Sequence, residues 1–132
     1  MDTEQENAWI LSAEHELDAA QLLFEYGGYV EVVAHHVHQG LERYLKGFLS
    51  SRGNAIPATH DLGGLVRRAA QLEPDLLRFV EDIQPLTEFF VETLDEDFVL
   101  PQPSPDEIQH ALDIAWRLRQ RLTTLLLASR ED

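Results

Sequence analysis

Between Tyr29 and Gly53 the chain reads YVEVVAHHVHQGLERYLKGFLSSRG, and Val30, Val33, Val37, Leu41, Tyr44 and Phe48 recur in it at steps of three and four. That period predicts one long helix whose apolar stripe must be buried against other helices. At about 100° per residue, His35, His38, Gln39, Glu42 and Lys46 fall on a second stripe roughly opposite Val37, so the polar groups cluster instead of scattering. A helix with two organised faces often has two partners.

The flanking segments follow the same logic. From about Asn7, Ile10, Ala13, Leu17, Ala20 and Phe24 predict a first amphipathic helix that ends at Gly27-Gly28, with residues 1 to 6 polar and frayed. The short connection makes the first two helices an antiparallel hairpin. After Gly53, Pro57 restricts its neighbour, and Thr59 or Asp61 can cap a short third helix carrying Leu62, Leu65, Val66 and Ala69 despite Gly63-Gly64. Pro74 suits the first turn of a fourth helix built on Leu76, Leu77, Val80 and Ile83, kinked at Pro85 and continued through Leu86, Phe89, Phe90 and Leu94.

Residues 95 to 103 have loop composition throughout, with an acidic triplet and two prolines. Ser104-Pro105-Asp106-Glu107 then forms a strong helix start: a capping serine, proline at the first helical position and a glutamate placed to complete a capping box. Ile108, Ala111, Leu112, Ala115, Leu118, Leu122 and Leu125 carry the last helix along the bundle. No stretch alternates with a period of two. The fold class is therefore all-α, an antiparallel up-and-down bundle of four long helices and one short one, with residues 1–132 forming a single domain.

Charge and cysteine usage narrow the chemistry. The chain has no cysteine, which excludes disulfides, thiolate metal sites and cysteine nucleophiles. A formal net charge of −14 repels phosphate backbones and disfavours general binding of nucleic acid. Five of the ten basic residues lie between Arg43 and Arg68, four in the last helix (Arg117, Arg119, Arg121 and Arg130), and Arg78 stands apart. A local basic pocket is compatible with that distribution, although cations on a helix face usually point to water. The acidic N-terminus lacks a secretory pattern and no apolar run is long enough to span a membrane, so the expected location is cytoplasmic.

With the helices placed, the residue pattern resembles the HEPN family, small helical-bundle proteins of prokaryotes that also occur as domains in larger chains. In HHVHQGLERYLKGFL, Gln39, Glu42 and Lys46 look like the family's glutamine, glutamate three later and lysine four beyond. His60-Asp61-Leu62 with Leu65 resembles its His-(Asp)-Leu-x-x-Leu helix opening, and the likeness covers roughly residues 9 to 127. Two departures stand out. Leu94 and Asp95 stand about where many members have arginine and tyrosine of an Arg-Tyr-Pro segment. No arginine is followed by a histidine with four to six residues between them, as in the family's ribonuclease branch, Arg52 and His60 being too far apart.

The resemblance implies a non-catalytic binding module, acting as a homodimer beside a nucleotidyltransferase partner protein or on a nucleotide, with Gln39, Glu42, Lys46, His60 and Arg43 as its ligand-binding residues. Lys46 or Arg43 would then attract phosphate. Alternatives are a toxin-like, metal-independent ribonuclease, which the missing arginine–histidine spacing disfavours, and a dimeric scaffold whose polar stripe only specifies assembly. Nothing in the sequence calls for a cofactor.

Each candidate also has a plainer reading. Glu42 and Lys46 make a solvated helical ion pair worth about 0.2–0.5 kcal/mol. His35, His38 and Glu42 offer two imidazoles and a carboxylate suited to a divalent metal, but their spacing matches no zinc motif. His60 positions the start of the third helix or packs on Tyr44 or Phe48, the sequence showing no partner for it as an acid or base. Glu92 and Asp95 to Asp97 form a solvated acidic loop rather than a cation site. Trp9 and Trp116 close the core or an interface, with base stacking as the sharper reading.

Overall fold

The computed structural model describes the backbone of residues 3–84 and 103–131 and the side chains of residues 8–84 and 103–128. It contains α1 (Thr3–Glu25), α2 (Val30–Ser51), α3 (Leu62–Ala70), a 3-10 turn (Pro74–Leu77) that runs into α4 (Arg78–Ile83), and α5 (Pro105–Glu131). The all-α class expected from the periodicity is the fold observed. No described helix is long and apolar enough to cross a membrane.

Both glycine stops act through the same local chemistry. Gly27 (φ 77°) and Gly53 (φ 74°) take the left-handed conformation that glycine adopts without a Cβ penalty. The next residue then donates back to the carbonyl three positions inside the helix end: Gly28 to Leu23 at 2.6 Å and Asn54 to Leu49 at 3.0 Å. Each is a Schellman stop that satisfies carbonyls the helix leaves unpaired. The first stop folds α1 back on α2. The second releases the chain toward α3.

α2 is the central element. Fourteen of its 22 residues are buried, more than one amphipathic stripe can supply, because α1, α3 and α5 all pack on it. Tyr44, Leu45, Phe48 and Leu49 lie wholly inside, joined in one cluster with Leu17, Leu65, Leu76, Phe79, Leu112 and Leu118. Gly47 sets the approach of the hairpin: a Cβ there would stand 2.8 Å from the Ile10 side chain. Three members of the polar stripe opposite Val37 are covered as well, with His38 at 2%, Glu42 at 5% and Lys46 at 6% exposure, whereas Gln39 is half-buried and His35 exposed. The solvated Glu42–Lys46 pair of the sequence reading is therefore corrected to a buried one, since Trp9 and the segment before α3 lie over it.

Three other local expectations change. α1 starts at Thr3 instead of about Asn7, since Glu4, Gln5 and Glu6 are good helix formers and the acids suit the positive end of the helix dipole. Asp61 is the N-cap residue of α3 but makes no side-chain capping bond; its own backbone N–H donates to Thr59 Oγ1 at 3.2 Å. Pro74 opens a 3-10 turn before α4. The kink at Pro85, the acidic loop and the Leu94–Asp95 departure fall outside the described residues, as does most of the 95–103 segment; Pro103 is buried.

The start of α5 is as the sequence specifies. Glu107 N–H donates to Ser104 Oγ at 3.1 Å, and Ser104 N–H donates to Glu107 Oε1 at 2.9 Å, a complete capping box. Ser104→Ala should lower the unfolding free energy by about 1 kcal/mol in urea denaturation. No change would mean that the cap is redundant with tertiary packing.

Candidate functional site

His38, Glu42 and Lys46 follow one another at four-residue steps, so α2 lines them up along one face. Lys46 Nζ donates to Glu42 Oε2 at 3.1 Å and stands 5.9 Å from the centroid of the Trp9 ring, brought over from α1. From the other side the chain before α3 delivers His60, whose Nδ1 lies 3.0 and 3.2 Å from the two Glu42 oxygens. A carboxylate accepts only, so the proton of that bond sits on Nδ1. His38 Nε2 donates to the His60 backbone carbonyl at 3.0 Å and lies 3.6 Å from Glu42 Oε1.

Glu42 is the hub of this network. Burial works to raise its pKa, but the hydrogen bonds and charges of His60 and Lys46 outweigh that and hold it below the ordinary carboxylate value. The carboxylate is thus ionised, buried and matched by a buried ammonium. Chemically the arrangement does two things: it ties the approach to α3 onto α2, and it orients an imidazole whose side chain is 62% exposed. The sequence offered His60 no acid–base partner; tertiary folding supplies Glu42, eighteen positions away.

Of the five sequence-proposed binding residues, Glu42, Lys46 and His60 converge. Gln39 is half-buried beside them on α2 and takes part in none of the bonds just described. Arg43 turns to the α1–α2 seam, where its Nη1 donates to Ser12 Oγ at 2.7 Å and Glu16 Oε1 at 2.9 Å. His36 Nδ1 completes that seam at 2.6 Å from Glu16 Oε2. With Ala8, Trp9 and Ser12, Arg43 lines a shallow hollow of about 410 Å³.

The three residues considered for a metal, His35, His38 and Glu42, lie in different surroundings. His35 is exposed, with its ring 6.0 Å from that of His36, whereas His38 is buried under the His60 backbone and the Glu42 oxygens are occupied by Lys46 and His60. Among the described residues no group of three or more His, Cys, Asp and Glu is arranged to hold a metal ion.

Two polar clusters escaped the sequence reading. Arg119 Nε donates to Glu14 at 3.1 and 3.0 Å and to the Tyr44 hydroxyl at 2.9 Å, with its guanidinium 5.3 Å from the Trp116 ring. Burial, and then the neighbouring Glu14 carboxylate, push the Tyr44 phenol well above its usual range. Trp116 packs on the core and donates Nε1–H to Gln21 Oε1 at 3.0 Å, the structural role expected for it. The second cluster is an arginine-lined pocket between α4 and α5. Each joins residues from different helices, so helical spacing by itself does not reveal either as a whole.

Comparison with known proteins places the fold. The family model described as HEPN domain matches residues 7–125. The chain is also similar to an archaeal HEPN homologue known from a crystal structure, with a TM-score of 0.70 and 18% sequence identity over 92% of this chain and 97% of the other. At that identity the likeness is one of fold. No curated protein matches the sequence.

Proposed function

Since the chain belongs to the HEPN domain family, we propose that it is a non-catalytic binding module that works as a homodimer and engages a nucleotidyltransferase partner protein. One observation carries this reading: the cations of the α2 polar face are neutralised from within. Lys46 is buried against Glu42, and Arg43 is held by Glu16 and Ser12. A phosphate hook needs uncommitted donors, and these two are engaged at home.

Around its turn the α1–α2 hairpin exposes a group of apolar and aromatic side chains. Leu22, Tyr26, Tyr29 and Val32 flank its turn, with Tyr26 at 83% and Tyr29 at 77% exposure. Exposed tyrosines at the centre of a contact are common anchors of protein interfaces. The reading is tested by mixing the purified protein with a minimal nucleotidyltransferase, taken from a neighbouring gene where one is encoded, and measuring complex mass by light scattering. A complex of fixed stoichiometry is expected, weakened at least tenfold by Tyr26→Ser with Tyr29→Ser. Absence of a complex overturns the reading.

The hollow lined by Trp9, Ser12 and Arg43 favours a second reading, nucleotide binding, with the indole as a stacking surface. Native mass spectrometry with a nucleotide panel separates the two: a nucleotide-sized adduct lost in Arg43→Ala supports the second. A dimer that ignores both the panel and the neighbour leaves the scaffold role. The ribonuclease reading has an oriented His60 but lacks an arginine ahead of it at the family's spacing. Growth arrest on expression, abolished by His60→Ala, would revive it.

A further inference from the structure

α4 packs against α5 so that Arg78 joins Arg117 and Arg121 around one concavity of about 390 Å³, completed by Phe79, Asp82, Gln120 and Thr124. Residues 117, 120, 121 and 124 follow the three- and four-residue spacing of one helix face, so α5 presents its two arginines one turn apart with an amide and a hydroxyl between and beyond them. Like charges at that spacing repel, and adding a third guanidinium from another helix raises the penalty. A chain of net charge −14 with ten basic residues has placed three of them in one pocket.

Their neutralisation is incomplete. Arg121 Nε donates to Asp75 Oδ2 at 2.7 Å. The Arg78 guanidinium lies 5.1 Å from the Phe79 ring. Arg117 is exposed and makes no hydrogen bond or ion pair with another described residue. Among the described residues the pocket wall holds three guanidiniums and one carboxylate, Asp82; Asp75 pairs with Arg121 at its edge, and Glu73, which also acts on Arg121, is itself paired with Arg52.

We propose that the α4–α5 pocket binds a small phosphate-bearing molecule. Guanidinium forks match phosphate oxygens in pairs, and an unengaged Arg117 beside a partly engaged Arg121 is placed to supply them. Gln120 and Thr124 add neutral donors, and Phe79, buried at the base, gives apolar surface for an organic remainder. The volume falls in the ordinary range of small-ligand sites, about 300–1,000 Å³. Concavity and global charge together select a compact anion over an extended one: a polynucleotide must run beyond the pocket over a protein of net charge −14, whereas a single phosphate or diphosphate group need not. The inference is independent of the partner-binding function, which uses other helices.

Isothermal titration of the full chain with inorganic pyrophosphate at low ionic strength tests it. Saturable binding of one pyrophosphate per chain is expected, weakened at least tenfold by Arg117→Ala and little by Arg68→Ala, which removes an equal charge from the exposed side of α3. Arg117 has no described contact to lose, and circular dichroism checks that the variant folds. No saturable binding by the unaltered protein, or equal weakening by both substitutions, overturns the proposal; so does an Arg117→Ala variant that binds as well as the original.

Discussion

Replacing Glu42 by alanine should lower the unfolding free energy by about 3–5 kcal/mol, because the substitution strands a buried charge. Lys46 stays at 6% exposure without its carboxylate, and His60 loses the acceptor that holds it onto α2. Removing both charges together, as Glu42→Leu with Lys46→Met, should recover most of the loss, since a buried pair seldom outperforms apolar groups of similar volume. Urea denaturation of the two variants decides the matter. If the double variant is as unstable as the single one, the network matters for its hydrogen bonds to His60 more than for the pairing of charges.

The same residue predicts a pH dependence of known sign. Its pKa in the folded protein is below the ordinary value of 4.5, so the folded state binds fewer protons than the unfolded state around that pH. The resulting stabilisation is full above the unfolded value and is lost as pH falls through the folded one. The stability gap between the original protein and Glu42→Gln should therefore narrow as pH drops below 4.5. A gap of constant size across that window would mean that ionisation of Glu42 contributes nothing.

Phe48→Ala should lower stability by a comparable about 3–5 kcal/mol, through lost transfer energy and an unfilled cavity. Its ring is completely buried where α2 meets its neighbours, and the Arg52 guanidinium stands 4.9 Å from it while Nη2 of the same arginine donates to Glu73 at 2.9 Å. The midpoint of thermal unfolding should drop by about 10–20 °C for a chain of this size. Leu127→Ala, at a position 55% exposed, should stay within about 0.5 kcal/mol of the original. Similar losses at both positions would contradict the placement of the core.

Much of the helical scaffold was legible because its signals are local. The stripe from Val30 to Phe48 repeats at steps of three and four residues, the glycine stops at Gly27 and Gly53 and the Ser104–Glu107 box act within about two turns of chain, and each is found where the pattern puts it. The candidate site was legible only in part. Periodicity placed His38, Glu42 and Lys46 on one face, but it carries no information about what covers that face. Spacing alone consequently left a solvated pair and a polar pocket both open for Glu42 and Lys46. Arg43 was grouped with them by proximity in sequence, yet its angular position on α2 turns it to Ser12 and Glu16 of α1.

The sequence by itself determined the all-α class, the order of the helices, the turns that separate them and the family pattern of Gln39, Glu42, Lys46 and His60, because propensity, capping and helical spacing are properties of neighbouring residues. Tertiary structure alone decided that the Glu42 charge is buried and shared with His60, that Tyr44 meets Arg119, and that Arg78 joins Arg117 and Arg121. Those contacts depend on which helix faces pack together, and packing is settled by the shape and burial of whole faces rather than by any short stretch of chain.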